Sequence, residues 1–385
     1  MLNYRSLACA FLLVLGAPVR AQPASVAAKA PSFSCAAART QVERAICARP
    51  ELAATDRTMA DLFAMSKTSA FGTGPSNQLP AQRAALREIR VCEKPDGAQQ
   101  REACIARAYA RRNAELAVAV LVSRPDVALP VLRQLDPGVA PMLEAVALWA
   151  AEPVDADWAA PQRAGTREKI AARLQPYMRA LQTDENQSFG RSILADPGPE
   201  GVAVHSLDDL FVSDRHFAAF LNVLGPYLPE LAAESLLSND RRTLPCAAIV
   251  RHPALLHATG SVFGSTMDNF VFDADCEQTL PPAPALDRLA DKLRARWPEC
   301  DGTIRFAAYR DFETALRLAR LGQSEHVQHH SADRRNGVTA AEIDAARIEL
   351  GSYYQTYLGK SVAAAQTMAR DAITSVLSSA HECGA

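Results

Sequence analysis

Apolar residues recur every three or four positions along most of the chain, and little of it alternates with the period of two that a strand shows. Near the N-terminus, Leu52, Met59, Leu62 and Phe63 form one such stripe. Thr40 stands three residues before Glu43, the spacing of a capping box, and Pro50 fits the first turn of a second helix. Residues 72–80 (GTGPSNQLP) have the composition of a loop. A third helix follows with Leu86 and Ile89 facing inward, and a fourth carries Ile105, Ala108, Tyr109 and Leu116.

Beyond Pro125 the helical period continues at about 126–150, 166–182, 206–237, 285–297 and 306–322. Proline- and glycine-rich loops separate these stretches near 151–165, 184–202 and 278–284. The last helix is expected to carry Leu350, Tyr354, Tyr357, Ser361, Ala365, Met368, Ala372 and Val376 on one face. Only residues 261–272 (SVFGSTMDNFVF) suggest an extended pair or a structured loop. The fold class is mainly α. A small helical domain at 33–120 precedes a larger, mostly helical region at 126–385.

The first residues read as a targeting segment. Arg5 supplies a positive start, residues 6–17 are a short apolar run, and Val19 and Ala21 occupy the −3 and −1 positions of a signal-peptidase site. The run falls short of the roughly 20 residues a membrane span needs. Cleavage after Ala21 is expected, followed by a flexible leader at 22–32 and a periplasmic or secreted product. Cys9 lies within the apolar run and not after it, which argues against a lipoprotein site.

Export changes the meaning of the cysteines. Removing Cys9 leaves Cys35, Cys47, Cys92, Cys104, Cys246, Cys276, Cys300 and Cys383, an even set split four and four. An even number in an exported chain points to disulfides. No CxxC pair is present, so neither redox chemistry of the thioredoxin type nor a zinc knuckle is indicated. Four cysteines allow three connectivities. If the helix from Pro50 runs out and the helix ending near Cys92 runs back, Cys47 meets Cys92 and Cys35 pairs with Cys104 outside them. In the second group, Cys246–Cys276 would pin the intervening segment and Cys300–Cys383 would tie back the last helix.

At this point the residues resemble a known family. Phe33, Cys35, Val42, Glu43, Ile46, Cys47, Pro50, Leu52 and Asp56, with Gln82 to Cys92 and then Cys104, Ile105, Tyr109, Arg112 and Leu116, look like the LprI-like N-terminal domain of exported bacterial proteins. That family is named for a lysozyme-inhibiting lipoprotein. The resemblance spans about 85 residues. It implies binding of a protein rather than catalysis, and it carries over Cys35, Cys47, Cys92 and Cys104 as disulfide cysteines only. Glu43 and Asp56 belong to the motif as a helix cap and a helix-surface ion pair. The chain departs from the pattern at Ala85, where the family often has Trp, at Ile89, where it has Arg, and at Phe63, where it has Tyr.

Charge then bears on the partner. The whole chain carries 41 Lys and Arg against 43 Asp and Glu, which leaves no basic footprint for nucleic acid. Residues 32–118 hold 13 basic against 9 acidic residues (+4), and residues 119–385 hold 25 against 34 (−9). Basic lysozymes would be repelled by the first region and attracted by the second. The two regions could equally dock on each other.

Chemistry-bearing clusters are few. His326, His329 and His330 (HVQHH) are weak metal candidates beside a polar run that reads as surface loop. His252 and His257 do not share a helix face and read as satisfied polar positions. Asp273, Asp275 and Glu277 lack the glycine and terminal Glu of a calcium loop. Asp208, Asp209, Asp214 and His216 read as helix starts and solvated faces. There is no GxSxG elbow, phosphate loop or dinucleotide fingerprint, and no cofactor is expected. The expectation is an exported non-enzymatic binding protein that covers lysozyme or another wall-degrading enzyme. The rivals are an immunity-like or envelope-stress protein that binds a bacterial effector, a wall-active hydrolase with its site in the C-terminal region, and a structural envelope protein.

Overall fold

The computed structural model describes residues 30–67, 78–94, 97–182, 202–224, 248–249, 252, 254–255, 281–296, 306–324 and 337–383; side chains at 306–311 and 381–383 lie outside the description. The described residues are mostly helical and contain no strand. Twelve α-helices are present among them: α1 (Gln41–Ala48), α2 (Pro50–Ser66), α3 (Gln78–Val91), α4 (Ala98–Val120), α5 (Pro125–Leu135), α6 (Ala140–Ala150), α7 (Ala164–Gln182), α8 (Asp214–Leu224), α9 (Pro284–Arg296), α10 (Phe306–Arg320), α11 (Ala340–Leu358) and α12 (Val362–Cys383). None of them is long and apolar enough to cross a membrane.

The N-terminal helices form where the local signals place them. The Thr40 hydroxyl accepts from the Glu43 amide at 3.1 Å, and the Glu43 carboxylate accepts from the Thr40 amide at 2.9 Å. These two bonds close the capping box that opens α1. Backbone donation from Thr40 and Arg39 holds the Glu43 carboxyl below its usual range. Pro50 takes the first position of α2, where a missing N–H costs nothing. Leu52, Met59 and Leu62 are buried along one side of α2, and Ile105, Ala108, Tyr109 and Leu116 along α4.

Two expected helices each divide in two. Around residues 126–150 the break comes at Asp136-Pro137-Gly138 between α5 and α6, since proline and glycine both disfavour a continuing helix. The expected last helix divides at Gly359, whose φ of 63° caps α11 in the left-handed region. Ser361 then opens α12, with its carbonyl accepting from the Ala365 amide at 2.8 Å. Residues 225–237 of the expected 206–237 helix and residues 261–272 lie outside the described residues.

The apolar interior forms two clusters. The first runs from Val42 through Leu255 without a break at Pro125, so α1–α4 share one core with α5–α8. The second gathers α9–α12 around Tyr353, Tyr354, Phe312 and a row of alanines. They meet where Leu318 and Leu321, from the C-terminal end of α10 and just past it, enter the first cluster, and where Leu358 packs against both. Gly322 makes that turn workable. The amide of Gln323 donates to Leu318 and that of Gly322 to Ala319, and the Gly322 φ is +69°. A Cβ there would stand 2.5 Å from the Met368 methyl.

Candidate functional site

The disulfides of the N-terminal region are Cys35–Cys47 and Cys92–Cys104, not the nested Cys47–Cys92 and Cys35–Cys104. The nested pairing requires α3 to return along α2. Instead α4 is the helix that packs along the length of α2, and α3 lies chiefly against α4. Cys92, just past the end of α3, therefore faces Cys104 in the second turn of α4, with Cα atoms 5.7 Å apart. Each bond spans 12 positions in sequence, a loop whose closure contributes about 2–3 kcal/mol. Cys246, Cys276 and Cys300, and the side chain of Cys383, lie outside the described residues, as do His326, His329, His330, His257, Asp273, Asp275 and Glu277. Among the described residues no group of three His, Cys, Asp or Glu side chains is placed to hold a metal.

Asp56 is not a surface residue. It is 3% exposed, accepts from the Tyr109 hydroxyl at 2.7 Å and accepts from the Ser32 amide at 2.5 Å. Burial, and then the neighbouring carboxylate, push the Tyr109 phenol well above its ordinary value. Beside it, the Asn113 amide donates to the Thr55 carbonyl at 3.1 Å. Arg57 donates to the carbonyls of Pro31 and Ala30, which fastens the start of the described chain to α2.

The attachment of α3 is of a different kind. Only Gln82 and Ile89 of its fourteen residues are buried. Arg112, on α4 and 3% exposed, donates to Gln82 at 3.0 Å, to Gln78 at 3.1 Å and to Glu115 at 3.1 Å. Arg111 donates to Glu88 at 2.6 Å, and the Cys92–Cys104 bond clamps the far end. Polar contacts and a covalent link thus do for α3 what apolar burial does for α2 and α4.

As a result α3 keeps apolar side chains on the outside. Leu86 is 37% exposed instead of facing inward, and Leu79 and Val91 are 47% and 52% exposed. Leu79, Arg83, Leu86 and Arg90 follow one another at spacings of four, three and four, which places them on one stripe of the helix. Ala85 is half-buried and Ile89 is buried, so Ile89 offers no surface group to a partner. Phe63 is half-buried on α2, with the Lys67 ammonium 4.8 Å from its ring centroid.

A second constellation lies deeper in the same core. Asp214, at the start of α8, is buried; it accepts from the Trp149 indole at 2.9 Å and stands 2.8 Å from His252 Nδ1. It is a core residue, not part of a solvated face. Nδ1 lies against that carboxylate, which leaves Nε2 as the second polar atom of the ring. Nε2 is buried without a partner, as is the Trp158 indole nitrogen. Trp149 stacks on Phe217 at 4.1 Å and against Trp158 at 4.4 Å. The satisfied polar position expected of His252 holds for one of its two nitrogens. Nothing local to Trp149, Asp214 or His252 signals that three segments up to 103 residues apart converge. His216 bonds Ser213 at 2.9 Å, and Asp209 accepts from the His205 and Ser206 amides.

No protein-family profile, curated protein or solved structure matches this chain.

Proposed function

We propose that this protein is an exported binding protein that acts by occlusion, covering the working surface of a wall-degrading enzyme. The observation that carries this reading is α3: a helix fixed at its far end by a disulfide and at its start by Arg112, with Leu79 and Leu86 turned outward. A surface held rigid before binding loses little entropy on association. Paired cysteines fit the oxidising compartment that the targeting segment implies. The resemblance of residues 33–118 to the LprI-like domain points to the same class of activity.

A rival reading has its own observation. In the Asp214–His252 pair a carboxylate orients an imidazole whose Nε2 has no partner, the geometry from which a general base acts. His252 is 0% exposed, however, and a wall polymer cannot reach an enclosed imidazole. Binding is therefore the stronger reading.

The experiment is a wall-clearance assay with the oxidised chain, cleaved after Ala21, titrated against a panel of wall-degrading enzymes of differing net charge. Occlusion predicts inhibition that saturates near one-to-one with at least one of them. Absence of any complex sinks the reading. Clearance by this protein alone at substoichiometric levels, abolished by His252→Gln, establishes the hydrolase instead.

A further inference from the structure

We infer that the exposed face of α3 docks an acidic protein surface with an apolar centre. This rests on the binding reading above and names the chemistry of its partner.

The argument begins with what the face lacks. Glu88 is the one acidic residue of α3, and Arg111 occupies it at 2.6 Å. Nothing else on the helix offsets Arg83, Arg87 and Arg90, all of them exposed. Arg90 adds the least of the influences that lower the Glu43 carboxyl of α1, through its charge. Around the face the N-terminal region is itself net positive, with 13 basic against 9 acidic residues.

The arrangement of charge and apolar area decides the class of partner. Leu79 and Leu86 are exposed large hydrophobics on a stripe that also carries Arg83 and Arg90. Arginine is enriched at protein interfaces, and the two leucines beside it add apolar area that a partner would take out of water. A lipid surface fits less well. A helix lying in a bilayer keeps its cations on the face opposite its apolar residues. Here Arg83 sits between the two leucines, so sinking them would drag a guanidinium below the headgroups. A basic lysozyme fits worst of all, because like charges would face each other across the contact.

The test uses the full oxidised chain and a fluorescein-labelled helical peptide bearing Glu and Leu at alternating three- and four-residue spacing. The controls are the same peptide with Lys for Glu, a basic lysozyme, and phosphatidylglycerol vesicles. The expected result is saturable one-to-one binding of the Glu/Leu peptide that weakens as salt rises from 50 to 300 mM. The variant Arg83→Glu/Arg87→Glu/Arg90→Glu should weaken it by about tenfold or more, and Leu79→Ser/Leu86→Ser by a comparable factor. All five positions are exposed, and an unchanged melting temperature verifies that the variants fold. Equal binding of the Lys peptide, indifference to the triple variant, or stronger binding to vesicles overturns the proposal.

The two readings fail separately. If a wall-degrading enzyme is inhibited one-to-one and the triple variant inhibits equally well, the enzyme is covered by another surface of the chain and the α3 face falls. If the Glu/Leu peptide binds through α3 and no wall-degrading enzyme is inhibited, the face stands and the wall-enzyme reading falls.

Discussion

Helices α1–α4 enclose Asp56, Gln82, Arg112 and Asn113 among their apolar side chains, while α9–α12 pack a row of alanines around two tyrosines, with Glu313 held by Arg294 and Thr314, Ser375 and Ser379 also buried. The polar groups of the first region meet partners within it: Asp56 meets Tyr109, Arg112 meets Gln78 and Gln82, and the Asn113 amide nitrogen meets the Thr55 carbonyl while its Oδ1 is buried without a partner. In the second region Ala365, Ala369, Ala372 and Ala380 let α12 approach its neighbours closely, and the Tyr354 hydroxyl donates to the Ala319 carbonyl. The difference teaches what each core demands of its sequence. A matched polar pair fixes one register and is costly to break, because the orphaned member stays buried. An alanine seam is specified by size alone and fails when a side chain grows.

The largest expected effect is covalent. Cys35→Ser/Cys47→Ser, read by thermal unfolding of the oxidised protein, should cost the N-terminal helices about 3 kcal/mol, and Cys92→Ser/Cys104→Ser a similar amount. A non-reducing digest should yield a Cys92–Cys104 cross-link; a Cys47–Cys92 fragment would refute the helix arrangement itself. Next comes a change of size. Ala369→Leu, at a fully buried position of α12, should destabilise the second region by about 2 kcal/mol. A neutral result would mean that the seam is looser than its burial implies.

How much of this was legible in advance follows from the range of each signal. Thr40 and Glu43 carry a capping box in four residues, and Thr339 with Glu342 repeats it at the start of α11. The second instance carries the same four-residue signal, and Gly359 marks the end of that helix just as locally. The class of fold was legible because the 3.6-residue period is local. The disulfide pairing was not, because it depends on whether α3 or α4 packs along α2, and both carry suitable apolar stripes. The outward turn of Leu86 was hidden for a related reason. Periodicity assigns the apolar side of a helix to the interior, and only the Arg112 contacts, made from 30 and 34 residues away, show that α3 is attached by its glutamines. The Trp149–Asp214–His252 convergence left no local mark at all.

Removing one hydroxyl from each region compares them directly. Tyr109→Phe leaves the Asp56 carboxylate with one fewer donor in a buried site and should cost about 2 kcal/mol. Tyr354→Phe deprives only a neutral carbonyl and should cost about 1 kcal/mol. Denaturant midpoints at constant m-value measure both. Equal losses would show that the charge on Asp56 adds nothing and would weaken the contrast between the regions.

The smallest effect lies between the two regions, where α6 is braced by its neighbours. Glu144 accepts from Arg173 at 2.9 Å and from Arg133 at 3.0 Å, which joins α5, α6 and α7. The Arg173 hydrogen bond, aided by that from Arg133, outweighs burial and holds the Glu144 carboxyl below its ordinary 4.5. A depressed carboxyl contributes stability above the unfolded value and loses it as pH falls through the folded one. Wild type should therefore exceed Glu144→Gln by up to about 1 kcal/mol at pH 7. That margin should persist down to about pH 4.5 and close below it. Both arginines are partly exposed, so the same margin should shrink in high salt. A margin independent of pH would assign the effect to packing of the glutamate stem and not to its charge.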